Sequence, residues 1–184
     1  LINFEAPLDS ALPKNEPVCR KTVFDETMKI LLLQAYMGEG ESAVFPVGLA
    51  LLASSVRQHE VKVFDPNISP NPYGELKTIL LDFEPAVVGI SLRNIDSTNK
   101  RTVKFYYAFL GELLDIIKSV SKAKIIIGGS GFSIFASDIM EYEQRIDYGV
   151  FLEGEQVLPA LIENLDSPER VPSIYDIGKA QVSR

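Results

Sequence analysis

The sequence predicts an α/β domain, a three-layer, doubly wound parallel sheet of five strands, and two observations carry that expectation. Short runs of Ile, Val and Leu alternate five times with longer stretches of helical period, the pattern of βα units whose strands are covered on both faces. Glycine-rich segments follow the first, fourth and fifth runs rather than precede them. In a parallel sheet with right-handed crossovers, that places them on the carboxyl edge, where such folds bind ligands.

Ile30, Leu31, Leu32 and Leu33 form the first run, followed by a loop over 34–45 that holds Gly38 and Gly40. Pro46 stands where a first helical residue would, and Leu49, Leu52, Ala53 and Val56 recur at helical spacing. Val61 to Phe64 read as the second strand, ending at Asp65 and Pro66, and Asn71 with Pro72 caps a helix carrying Leu76, Ile79 and Leu80. Pro85 breaks the chain before a third strand over 86–91, and Val103, Tyr106, Leu110, Leu113, Leu114, Ile117 and Val120 trace a long amphipathic helix. The fourth strand, 124–127, closes on Gly128, Gly129, Ser130 and Gly131, with a helix from about Ser133 to Tyr142. A fifth strand over 148–152 leads through Glu153, Gly154 and Glu155 to a helix over 156–165, in which Pro159 falls within the first turn. The strand order expected is 2-1-3-4-5, of the flavodoxin-like kind. Residues 1–27, with Pro7, Pro13 and Pro17 and no sustained period, read as an irregular arm, and 169–184 as a hairpin or linker.

Composition narrows the partners. A net charge of -7 over 184 residues argues against nucleic acid or an anionic membrane. The single cysteine, Cys19, cannot form an internal disulfide, a structural zinc site or an iron-sulfur cluster unaided, and it suggests a reducing, cytoplasmic setting. No apolar run reaches the roughly 18 residues of a membrane span, and the start lacks a basic segment followed by an apolar one.

Each candidate motif has a plain reading beside the functional one. Gly128 and Gly129 let a flat or bulky group approach the backbone, yet a turn explains a Gly-Gly pair equally well. Ser91 offers a hydroxyl at the end of the third strand, or satisfies the backbone there. Gly154 and Glu155 place a helix start on the same edge, or simply cap it. The one histidine, His59, lies at the opposite edge and reads as a packing or exposed residue. A nucleophile elbow, a phosphate loop and a G-x-G-x-x-G after the first strand are all missing.

Five segments, residues 45–53, 61–65, 85–91, 127–129 and 153–155, taken in this order, resemble the amino-terminal cobalamin-binding domain of radical S-adenosylmethionine (radical SAM) enzymes. The match runs over about 28–165. The resemblance implies cobalamin on the carboxyl edge, its nucleotide tail inserted beside the fourth strand where Gly128 and Gly129 leave space, with Ser91 facing the dimethylbenzimidazole. By loop position it also implies contacts from Ala35, Tyr36, Met37, Gly38, Leu92, Arg93, Asn94, Ser130, Phe132, Glu153 and Gly154. No catalytic residue and no metal ligand is expected within the chain.

The D-x-H-x-x-G motif that supplies a cobalt-ligating histidine in methionine-synthase-like domains is missing after the first strand, so cobalt would take no histidine from this chain. The S-x-L pattern of that group reads Ser91, Leu92, Arg93. The C-x-x-x-C-x-x-C cluster motif is also missing, which assigns S-adenosylmethionine and the [4Fe-4S] cluster to a radical SAM domain following residues 169–184. Two other readings stay open: a degenerate domain that gates or docks substrate without cobalamin, and an independent nucleotide or flavin binder. An open cleft above Gly128 and Gly129, rather than one filled by Tyr36, Phe132 or the arm, separates the first reading from the degenerate one.

Overall fold

The computed structural model describes residues 27–42, 44–97, 101–168 and 171, and the backbone of 174–176. The arm lies outside the described residues apart from Thr27, as does 177–184.

Buried apolar runs make the strands β1 (Lys29–Gln34), β3 (Val87–Ser91), β4 (Lys124–Gly128) and β5 (Tyr148–Val150), while the edge strand β2 (Glu60–Phe64) buries only Phe64. They pair in parallel in the order β2-β1-β3-β4-β5, the doubly wound arrangement that the alternating pattern predicts. Residues Ile174–Asp176, read in sequence as part of a hairpin or linker, form a further strand, β6, antiparallel to β5. Its three residues are too few to show a period, and the pairing covers an edge that β5 would otherwise leave open.

Strand alternation divides the core in two. Leu31, Leu33, Val88, Ile90, Ile125 and Ile127 face the helices α2 (Pro72–Phe83), α3 (Tyr107–Val120) and α5 (Ala136–Tyr142). Ile30, Leu32, Val87, Ile126 and Val150 face α1 (Val47–Ser55) and α6 (Gly154–Glu163).

Local chemistry sets the helix starts. The Asn71 side chain accepts from the Gly74 amide at 3.2 Å while Pro72 takes the first turn of α2. Asp65 caps a single 3-10 turn over Pro66–Ile68. Two boundaries differ from the sequence reading. Val103 lies before α3 and is exposed, because Phe105 bridges back to Asp96 and the Ser97 amide donates to the Lys104 carbonyl at 2.8 Å. The helix expected over 133–142 is two short ones, α4 (Ser130–Ile134) and α5, separated at Phe135 with φ -123°. No helix among the described residues is long and apolar enough to cross a membrane.

At the amino-terminal edge, Asp147 ties three elements together. Its carboxylate accepts from the Ile125 amide at 2.9 Å, Lys118 at 3.1 Å and Lys124 at 3.0 Å. Partial burial pushes its pKa upward, but the Ile125 amide and the two ammonium groups outweigh this and hold it below the usual carboxylate value. A lowered folded-state pKa adds stability that is complete above the unfolded pKa of about 4 and lost as pH falls through the folded value. Asp147→Asn is therefore expected to cost about 1–2 kcal/mol at neutral pH, with the difference from the parent shrinking in acid, measured by urea unfolding at several pH values.

Candidate functional site

On the α1/α6 side, at the carboxyl edge, the sheet leaves a hollow of about 300 Å³. Its floor consists of alternate strand residues that share a face: Leu32 of β1, Gly89 and Ser91 of β3, and Ile126 and Gly128 of β4. Gly48, Leu49 and Leu52 of α1 wall one side, and Gly154 and Leu158 of α6 the other, with Leu152 and Glu153 at the turn between β5 and α6.

Glycine makes the hollow possible. A Cβ on Gly128 would lie 3.3 Å from the Val150 carbonyl oxygen, and one on Gly89 would lie 2.9 Å from Leu32 Cδ2, so both positions keep the floor low. Gly129 does different work. Its φ of +99° and a Cβ that would sit 2.7 Å from the Leu92 carbonyl oxygen make it the turn into α4, whose Gly131 and Phe132 amides donate to that same carbonyl at 2.9 and 3.2 Å. The two readings of the Gly-Gly pair are thus divided between its members, although Gly129 also reaches the hollow wall.

Ser91 is half-buried on the floor, and its hydroxyl has no hydrogen-bond partner among the described residues. Glu153 and Glu155 are the charged groups around the hollow, so its lining carries no cation to match a phosphate.

The other expected contacts fall into three groups. Ser91, Gly128, Gly129, Glu153 and Gly154 come together at the hollow. Ala35, Tyr36, Leu92 and Phe132 are buried in the opposite core, where Tyr36 stands edge-on to Tyr73 and Phe109, so neither Tyr36 nor Phe132 fills the hollow. Their side chains hold the edge rather than line it. Met37, Gly38, Arg93 and Asn94 lie on loops at the same edge and Ser130 opens α4; Gly38 has φ +84° with the Phe109 ring against it, and Ser130 Oγ donates to the Arg93 carbonyl at 2.8 Å. Arg93 and Asn94 are exposed.

Sequence reading missed several residues of this edge. Gly89, an isolated glycine inside a strand, was a readable sign of close approach. Leu49 and Leu52 read as a helix face, and with Gly48 they fell in the 45–53 segment of the resemblance without being singled out as contacts. Asn67 carried no local sign at all, yet its Oδ1 accepts from the Met37 amide at 2.8 Å and its Nδ2 donates to the Ala35 carbonyl at 3.1 Å and to Asp65 at 2.8 Å. That side chain latches the loop after β1 to the turn after β2. His59 lies where β2 begins, its Nδ1 accepting from the Met28 amide at 3.4 Å, far along the strand from the hollow. Among the described residues no group of three His, Cys, Asp or Glu could hold a metal ion.

Comparison with known proteins places this geometry. The model of the B12 binding domain family matches residues 33–162. An uncharacterized methyltransferase of Pyrococcus horikoshii is 26% identical over 161 residues, covering 82% of this chain and 33% of its own. Among solved structures, the radical S-adenosylmethionine methyltransferase TsrM from Kitasatospora setae, with cobalamin and a [4Fe-4S] cluster bound, superposes with a TM-score of 0.71 at 23% identity, over 82% of this chain and 29% of that one. The cobalamin-dependent radical enzyme OxsB, with aqua-cobalamin and S-adenosylmethionine bound, gives 0.64 at 22% identity, over 82% of this chain and 21% of that one. The chain spans about a third of the curated relative and less of the solved enzymes. The family match covers most of the sequence, with β2 to β5 whole and the last two residues of β1, so the chain belongs to the B12-binding domain family and its cofactor is cobalamin.

Proposed function

We propose that this chain is the cobalamin-binding module of a radical SAM enzyme, and that the hollow between β3, β4, α1 and α6 receives the cofactor's nucleotide tail. The observation that carries this reading is the open floor: Gly89 and Gly128 withhold side chains where an apolar, planar group would lie, and no aromatic residue among the described residues lines the space, the arm over 1–26 lying outside them. The fit is chemical as well as spatial. Leu32, Leu49, Leu52, Ile126 and Leu158 give an apolar surface to the tail's base, and the unpartnered Ser91 hydroxyl can donate to a ring nitrogen. Without a lining cation the tail phosphate stays outside the hollow.

Bound cobalamin supplies a cobalt centre able to accept and pass on an alkyl group. This chain's part is to bind and orient it. The loop over 35–38, fixed by Asn67, and the loop over 92–94, fixed by Ser130, present backbone groups toward the carboxyl edge. The sole histidine sits at the other edge, which supports binding without a histidine ligand from this chain.

Residues 28–168 form the module in this reading, and 169–184 lead toward a radical SAM domain that holds S-adenosylmethionine and the [4Fe-4S] cluster. The single cysteine supports that division of labour, and a reducing cytoplasm suits it. The protein mixed with hydroxocobalamin and desalted is expected to retain corrin absorbance near one equivalent. Retention of none would favour the docking scaffold instead.

A further inference from the structure

We infer that Gln34 is a ligand-contacting residue, its carboxamide paired with a carboxamide of the bound cofactor. The inference rests on the cobalamin reading and deepens it.

Gln34 ends β1 and is 8% exposed, one of two buried polar or charged side chains in the described core. The other, Glu143, is held by Arg145 at 3.1 Å. Gln34 has nothing comparable: its side chain makes no hydrogen bond or ion pair among the described residues. Buried polar groups are nearly always satisfied, so an amide idle among the described residues points to a partner beyond them.

Its position says where that partner lies. Along β1, Leu31, Leu33 and Ala35 belong to the α2/α3 side and Ile30 and Leu32 to the α1/α6 side, so Gln34 faces the side of the hollow. In register it stands opposite Ser91, which stands opposite Gly128. The carboxyl edge therefore carries one row, Gln34, Ser91, Gly128, running from an amide through a hydroxyl to bare backbone. The amide is not sealed in, since its atoms are not among the fully enclosed polar atoms without partners in the described residues.

The chemistry selects the group. An uncharged side chain with both donors and an acceptor matches a carboxamide, which offers the same pair in reverse, better than it matches a phosphate. The corrin ring bears such amides around its periphery.

The test compares the parent with Gln34→Leu and Gln34→Met by hydroxocobalamin titration, followed through the corrin spectrum, and by thermal melts without ligand. Both variants remove the amide and keep the volume, and the second serves if the first fails to fold. The expected result is an apo melting temperature equal to or above the parent's, with cobalamin affinity lowered about tenfold. Unchanged affinity beside a parent that binds overturns this inference alone. A lowered apo melting temperature also overturns it, because the amide would then have a partner inside the protein. A parent that binds no cobalamin overturns the cofactor reading, and this inference with it.

Discussion

Gly128→Val is expected to weaken cobalamin binding by about tenfold to 100-fold while the protein still folds. The position lies on the floor of the hollow, at the end of β4, where a Cβ would sit 3.3 Å from the Val150 carbonyl oxygen and 3.5 Å from its Cβ. That contact is tight but involves an edge of the sheet, and a β-branched residue suits a strand, so the folding cost stays near 1–2 kcal/mol. The branches beyond Cβ enter a space of about 300 Å³ that the tail must share. Overpacking by even a few methyl groups costs about 1–3 kcal/mol in a filled site, and each 1.4 kcal/mol is tenfold in affinity. Gly128→Ala should fall between the two proteins. Spectral titration beside a thermal melt checks the pair, and near-parental affinity in the valine variant would show that the tail does not lie there.

Gly129→Ala should instead damage the fold. Its φ of +99° is a conformation that L side chains rarely adopt, and the new Cβ would sit 2.7 Å from the Leu92 carbonyl oxygen, 3.0 Å from its carbon and 3.1 Å from its nitrogen. All three are backbone atoms and cannot swing aside. The carbonyl concerned also accepts from Gly131 and Phe132, so yielding there loosens the start of α4 and the fully buried Phe132. A loss of about 2–4 kcal/mol follows, which for a domain of this size lowers the melting temperature by roughly 5–15 °C in a thermal scan. Adjacent glycines thus give contrasting phenotypes: one variant folds but binds more weakly, and the other loses stability.

That contrast also explains what the sequence could reveal. Period and composition mark β1, β3, β4 and β5 clearly because these strands are covered on both faces, and Leu32 or Ile126 can hardly be anything but core; the edge strand β2 shows through its Val-Lys-Val-Phe run between polar residues instead. That Gly128, Gly129, Ser91 and Gly154 share one edge was legible because loops after parallel strands gather there. Which side of the sheet a loop residue faces was not legible. Ala35, Tyr36, Leu92 and Phe132 follow strands as a ligand contact would, yet they complete the opposite core, since a loop turns its side chains according to dihedral angles that no period encodes. Asn67 was invisible for another reason: its partners lie some thirty positions away, and only the docking of β2 beside β1 brings them within reach. The two short helices around Phe135 differ from a single one by a backbone angle rather than by any change in apolar spacing.

The account depends on the hollow taking the nucleotide tail, and cobinamide, the corrin without that tail, tests this most directly. Wild-type protein titrated with cobalamin and with cobinamide under the same conditions should bind cobalamin at least about tenfold more tightly, the difference expected from burying one aromatic base in an apolar site. Equal affinity for the two corrins would contradict it, because a tail that adds nothing to binding is not held between Gly128 and α1.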